Sequence, residues 1–381
     1  MKRHFIIVVL AALFLWPSID RAGDVRTTLP FDSDWRFLNA DLTNAEEPQL
    51  DDSSWRQINV PHDWSIAGPF AETNLTGGAG GFLPSGVGWY RKHFSLPQGT
   101  KDRCVFIEFD GVMANSDVWI NGFHLGHRPF GYVSFSYELT GHLNFGGDNV
   151  LVVRADTSQQ PASRWYTGAG IYRHVRLVET SPIHFEHDGV FITTPEVSPE
   201  SATVMVEAAV TNESNAGIKI TVKTQLISPD GEMLENAVVD GTVAANGSSK
   251  LSPQMTYLKP HLWNLDSPSL YQVVSEVSVD GQILDEITST FGIREFHFDA
   301  ATGFWLNGQN FKIKGVAIHA DGGAFGAAVP LGVWEQRLTA LKSLGVNAIR
   351  TAHNPPDPDF LGLCDRMGFL VMDEFFDCWT V

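Results

Sequence analysis

Short runs in which apolar and polar residues alternate fill the first three quarters of the chain. Residues 88–94, 104–109, 116–120, 149–155 and 174–178 each read as a strand bounded by Gly-, Asn- and Pro-rich turns. Asn121-Gly122 directly follows one such run, and both residue types tolerate positive φ, so a tight hairpin is expected there. The pattern over residues 24–181 is that of an antiparallel sandwich. A second set of runs, 203–210, 218–227, 271–279 and 285–291, is separated by turn clusters such as Pro229-Asp230-Gly231 and Asp280-Gly281. Its spacing over residues 182–294 suits an immunoglobulin-like sandwich, with no residue that points to chemistry.

Beyond Phe291 the period changes. Trp334, Leu338, Leu341 and Leu344 fall at helical spacing with Gly345 available as a cap, which predicts a helix over 333–344. Residues 312–318, 346–349 and 369–372 are short apolar runs suited to strands. Between the last two, Asp357 can cap a helix, Pro358 suits its first position, Asp359 complements the dipole and Gly368 suits the C′ position. Phe360, Cys364 and Met367 then share one face. Strand, helix, strand, helix, strand over residues 295–381 reads as the opening of a parallel, helix-covered sheet; a complete (β/α)8 barrel takes about 250 residues. Polar residues gather where these strands end: His319 after the first, Arg350 and His353 after the second, Asp373 and Glu374 after the third. Such strand ends are where barrel enzymes carry reactive side chains.

Charge and composition narrow the field. With 44 acidic against 26 basic residues the formal net charge is −18, which opposes binding to nucleic acid or an anionic membrane and leaves a neutral substrate such as a sugar compatible. A hydrophobic fraction of 43% is enough for several real cores. Lys2 and Arg3, an apolar run over 5–16 and small residues at Ala22-Gly23 read as a secretory signal peptide over 1–23, which predicts a periplasmic or secreted protein with no membrane association after its removal. Cys104, Cys364 and Cys378 are too few and too scattered for a disulfide framework or a thiolate metal site. Trp35, Trp55, Trp64, Trp89, Trp119 and Trp165 all lie in the first sandwich, where core burial is the expectation for most and sugar stacking the alternative.

Longer motifs add a family resemblance. NAIRTAHNP at 347–355, then DRMG at 365–368 followed by four apolar residues and Asp373-Glu374, resembles the signature region of the family 2 glycoside hydrolases, the β-galactosidase, β-glucuronidase and β-mannosidase group. GWYRKHF at 88–94, SDVWINGFHLGHRPFGYVSFSYELT at 116–140 and SRWYTGAGIYRHVRL at 163–177 are similar to that family's jelly-roll sugar-binding domain. HLWNLDSPSLYQV at 261–273 is similar to its connector, and FGIREFHFDAATGFWLNGQNFKIKGVAIH at 291–319, with an Asn307-Gly308 hairpin, to its entry into the barrel. One departure is Asn354, where better known members carry Tyr, and it leaves sugar specificity open.

The resemblance implies a multidomain chain: a jelly-roll β-sandwich, an immunoglobulin-like β-sandwich acting as a spacer, and the start of a TIM barrel. It implies substrate contacts for Asp63 in VPHDWSI, Arg164, His319 and His353, with Arg350, Asp373 and Glu374 supporting the site. From the residues alone, Asp63 could equally cap a turn and Arg164 sit in a surface ion pair. Retaining glycosidases need two carboxyl groups roughly 5–5.5 Å apart. In the family these are glutamates on the fourth and seventh barrel strands, beyond Val381, so no catalytic carboxylate is expected within this chain and by itself it is expected to be inactive. Magnesium serves some β-galactosidases, but at the place where their ligand set begins this chain has Cys378 or its neighbours, so metal use stays open and no cofactor is certain. The expected partner is a carbohydrate, with a homo-oligomer possible. The alternative is a non-catalytic carbohydrate-binding remnant or a truncated gene product.

Overall fold

A computed structural model describes residues 25–160 and 162–377; the segment 1–23, expected to be a signal peptide, and Cys378 lie outside the described residues. The first unit is a two-sheet antiparallel sandwich. One sheet runs in the order Arg56–Ile58, Trp35–Asn39, Val87–Ser95, Asp148–Asp156, Ser116–Ile120, Phe123–Arg128. The other runs Thr27–Pro30, Val175–Thr180, Cys104–Phe109, Phe135–Glu138. Alternation places Tyr90, Ile107, Phe109, Val118, Leu151 and Leu177 between the sheets around Trp35, all buried. The expected hairpin forms, with Asn121 at φ 51 and Gly122 at φ 82. Trp35, Trp55, Trp64 and Trp89 are core; Trp119 is half-buried against Trp89, and Trp165 lies elsewhere, at the end of the sandwich that meets the barrel.

The second unit has two four-stranded antiparallel sheets, and four of its strands, Ile183–Val197, Met233–Val243, Gly247–Leu251 and Gln254–Leu258, do not read from sequence. Ile183–Val197 slips register between Phe185 and Val190 and again between Thr193 and Glu196, so its period of two is broken by bulges. Met233–Val243 is an edge strand with hardly a buried side chain, so nothing forces apolar alternation on it. This sandwich is tied to the first by Arg26, whose Nε and Nη2 donate to Asp285 at 3.1 and 2.9 Å and whose Nη2 also donates to the Phe185 carbonyl at 2.7 Å, and by His187 Nδ1 against Glu108 at 2.9 Å; the Phe185 N–H holds the Asp285 carboxylate from within the second sandwich at 2.8 Å.

The third unit opens with a hairpin turning at Asn307 (φ 50) and Gly308 (φ 73), between Gly303–Leu306 and Gln309–Phe311. Three parallel strands follow, Gly315–Ile318, Ala348–Thr351 and Leu370–Met372, connected by helices Leu331–Ser343 and Pro358–Met367. The first strand is shorter than the expected 312–318 because the Asn347 side chain takes over the bonding of its first residues, accepting from the Lys314 N–H at 2.8 Å and donating to the Lys312 carbonyl at 3.0 Å. The second begins two residues later than expected. The second helix starts and stops as its punctuation predicts. Asp357 accepts from the Asp359 N–H at 2.8 Å, Pro358 is the first helical residue, and Gly368 sits at φ 72 with its Cα so close to the Leu265 backbone that a Cβ would overlap it. Phe360, Leu363 and Cys364 are buried against Trp334 and Leu338, while Met367 is only partly so.

Candidate active site

The C-terminal ends of the three parallel strands converge on one point. His319 follows the first strand, His353 follows the second, and their rings meet edge to face at 5.2 Å between centroids. Arg350, within the second strand, donates from Nε to Glu374 at 2.7 Å, and Glu374 stands just beyond the third strand. The other Glu374 oxygen lies 3.2 Å from His353 Nδ1. The same nitrogen faces Arg350 Nη2 at 3.4 Å, so Nδ1 is engaged by the cluster from two sides and Nε2 is the ring nitrogen left for a hydroxyl. Thr351 fixes the third strand's end: its hydroxyl donates to Asp373 at 3.1 Å and accepts from the Glu374 N–H at 3.1 Å. Arg350, His353, Asp373 and Glu374 are thus drawn into one bonded cluster, with His319 packed against it.

The first sandwich closes the cluster from the other side. Trp165 packs on His353 at 4.8 Å and on His319 at 6.1 Å, and its indole N–H donates to the Tyr132 hydroxyl at 3.2 Å. Burial pushes the Tyr132 phenol up to about 12, so it stays a neutral hydroxyl at physiological pH. A small cavity of about 40 Å³ opens here, lined among others by Trp165, His319, Thr351, Asn354, Tyr172 and Asp357. His319 Nδ1 is buried without a hydrogen-bond partner. An orphaned ring nitrogen beside an aromatic face and a second imidazole is an arrangement able to take a polyhydroxylated ligand, hydroxyls on the nitrogens and C–H face on the indole.

The remaining two site expectations fall differently. Arg164 is exposed, next to Trp165 in the loop that reaches the barrel. Asp63 is buried, 4% exposed, and its carboxylate is enclosed by protein donors: the N–H groups of Ser65, Ala169 and Ala327 at 3.1, 3.0 and 2.8 Å and the Tyr166 hydroxyl at 2.5 Å. Burial raises its pKa against the pull of those donors. It therefore faces protein on every side that carries a bond, and the turn-capping alternative accounts for one of its four contacts.

The sequence sets Trp165 among six tryptophans for which core burial is the expectation for most and sugar stacking the alternative, without singling it out, and gives no weight to Tyr132 or Tyr166. One signal was available for Trp165: it stands in the irregular stretch SRWYTGAG, outside any alternating run. Among the described residues no group of three His, Cys, Asp or Glu is arranged to hold a metal ion.

Three family profiles match the chain: the beta-galactosidase second all-beta domain over residues 51–160, glycosyl hydrolases family 2 over 184–294, and the glycosyl hydrolases family 2 TIM barrel domain over 300–377. Among curated proteins, a beta-galactosidase of Bacteroides ovatus, BoGH2A, is 45% identical over 349 residues, 92% of this chain and 41% of that protein. A putative beta-glucuronidase of Formosa agariphila is 39% identical over 372 residues, 96% of this chain and 35% of that protein. Among solved structures, a glycosyl hydrolase family 2 member from Bacteroides cellulosilyticus superposes with a TM-score of 0.88 at 39% identity, over 92% of this chain and 46% of that one. A beta-glycosidase from Bacteroides vulgatus gives 0.86 at 40%, over 93% and 45%. The chain spans less than half the length of these relatives.

Proposed function

The chain belongs to glycosyl hydrolase family 2, and from that premise we propose that it forms the sugar-gripping half of a retaining β-glycosidase acting on terminal β-galactosides. The observation that carries this reading is the His319–His353 pair packed under Trp165 at the ends of parallel barrel strands. In it the indole takes the apolar face of a terminal sugar, and His353 Nε2 and His319 Nδ1 take its hydroxyls. Arg350, anchored on Glu374, places a fixed positive charge where a nucleophilic carboxylate from a further barrel strand is held ionised. A retaining mechanism needs two carboxyl groups at the scissile bond, which the family resemblance places on strands four and seven of a complete barrel; on this reading residues 25–377 bind and orient the sugar.

A neutral sugar is favoured over a uronic acid by charge. The cluster carries two carboxyl groups, Asp373 and Glu374, against the single guanidinium of Arg350, and the chain a net charge of −18, both of which disfavour an anionic substrate. The segment 1–23 is proposed to export the protein.

The test is a polypeptide in which this chain is continued through a complete barrel, assayed on aryl β-galactoside, β-glucuronide and β-mannoside with the product anomer followed by NMR. The expected result is preferential turnover of the galactoside with retention. Preference for the glucuronide would reject the sugar assignment, and inversion would reject the mechanism.

A further inference from the structure

The enclosure of Asp63 has a geometry that a turn cap does not need. Of its four donors only the Ser65 N–H comes from its own loop. Ala169 N–H and the Tyr166 hydroxyl come from the loop that carries Trp165, and Ala327 N–H comes from the barrel loop that begins at His319. The two backbones close on the carboxylate so tightly that side chains are excluded. Gly168 (φ 76) and Gly326 (φ 58) are both left-handed, and a Cβ on either would collide with Asp63 Oδ2. Ala327, adjacent to that glycine, is buried among Met113, Tyr132 and Tyr172 of the first sandwich. The Gly- and Ala-rich run after His319, which carries no chemistry of its own, is thus the surface by which the barrel loop docks on the sandwich.

We propose that Asp63 is a positioning residue, one that fixes Trp165 and His319 relative to each other by bonding both of the loops that bear them. The role rests on the reading of the cluster as a sugar site, and it deepens that reading: Asp63 acts through other residues and touches no substrate. Oδ1 holds Ala169, and Oδ2 holds Ala327 and Tyr166, so each oxygen serves a bond that the other cannot replace. The Tyr166 phenol is driven far above its ordinary value by burial and by the Asp63 charge, which keeps it a donor to the carboxylate. An amide in place of the carboxylate supplies one accepting oxygen and turns an NH2 toward N–H groups, so Asp63→Asn releases one side of the joint while keeping its size.

The experiment has two arms. In the 381-residue chain, hydrogen exchange is read by mass spectrometry in Asp63→Asn and, in case that variant fails to fold, in Tyr166→Phe. The expected result is exchange faster by about tenfold in both the 163–170 and 322–328 segments, with the sandwich strands unchanged. In the chain continued through a complete barrel, Asp63→Asn is expected to lower kcat/KM about 10-fold, less than Trp165→Ala does, and to add little further loss on top of Trp165→Ala, since Asp63 acts through the Trp165 and His319 contacts. Unchanged exchange in either segment, or a fully additive loss in the Asp63→Asn/Trp165→Ala double variant, would overturn the proposal; the second result would assign Asp63 a sugar contact of its own. Coupled loosening of both loops in a protein that turns over no glycoside would support the joint and place the failure on the functional reading alone.

Discussion

Two seams meet the first sandwich, and they are built from different chemistry. The seam with the immunoglobulin-like sandwich is closed by charge. Asp285, fully buried, takes two bonds from Arg26 and one from the Phe185 N–H, and His187 rests on Glu108. The seam with the barrel is made largely of backbone groups held by single buried side chains. Arg173, 2% exposed, donates to the carbonyls of Asp110, Tyr132 and Pro355, and Asp63 gathers its three N–H groups and a hydroxyl. The first seam leaves its principal charges paired. The second leaves His319 Nδ1 without a partner beside a cavity, and it is there that a ligand has something to gain. A spacer interface is stabilised by closing every bond; a binding interface must hold its walls rigid and keep a few groups open.

Removing Asp285 is the strongest way to separate the two. Asp285→Ala leaves the Arg26 guanidinium with only the Phe185 carbonyl as partner among the described residues, and leaves the Phe185 N–H unpaired in a buried place; a loss of about 3–5 kcal/mol in urea unfolding is expected. Turnover per folded molecule of the barrel-complete protein should change less than twofold. A large fall in kcat would mean that the spacer seam shapes the site after all.

Trp165→Ala should do the reverse. The side chain is only half-buried, so little stability is expected to go with it, while kcat/KM should fall about 10–100-fold, equivalent to about 1.4–2.7 kcal/mol of transition-state stabilisation. Equal loss of stability and activity would return Trp165 to the ordinary core.

Smaller effects of pH also distinguish the seams. His62, adjacent to Asp63, is pushed down to about 4 by burial and then by the Arg56 charge, whereas the unfolded chain binds that proton at 6.5. Its folded pKa is depressed, so stability is full above 6.5 and falls as pH drops from 6.5 toward 4. Unfolding midpoints at pH 7 and 5 should differ, and His62→Asn should narrow the difference. His187 has the opposite sign. Its hydrogen bond to Glu108 raises its pKa over the opposing effect of burial, so its contribution is full below 6.5 and is lost as pH rises through the higher folded value. With the ring a third exposed, His187→Gln should cost less than about 1 kcal/mol at pH 6 and almost nothing at pH 9.

Much of the fold is legible because local and tertiary demands agree. Alternating strands such as Cys104–Phe109 and Ile218–Ile227, the Asn-Gly turns and the Asp357–Pro358 to Gly368 helix all obey rules that act within a few residues. The site residues His319, Arg350, His353, Asp373 and Glu374 are legible as polar residues ending short apolar runs. What could not be read depends on distant parts of the chain. Nothing near Trp165 announces that two barrel histidines will meet it, and nothing near Asp63 announces the Ala327 N–H. The bulged Ile183–Val197 and the edge strand Met233–Val243 were hidden because pairing with neighbouring strands, not apolar alternation, makes them strands.

The most direct measurement is kcat/KM for an aryl β-galactoside in the barrel-complete protein, wild type against His353→Ala. His353 is the residue on which Trp165, His319 and Glu374 all converge. A fall of about 100- to 1,000-fold in kcat/KM, with unfolding free energy changed by less than about 1 kcal/mol, is the expected result. Wild-type turnover that survives the substitution within about threefold would contradict the placement of the sugar at this seam.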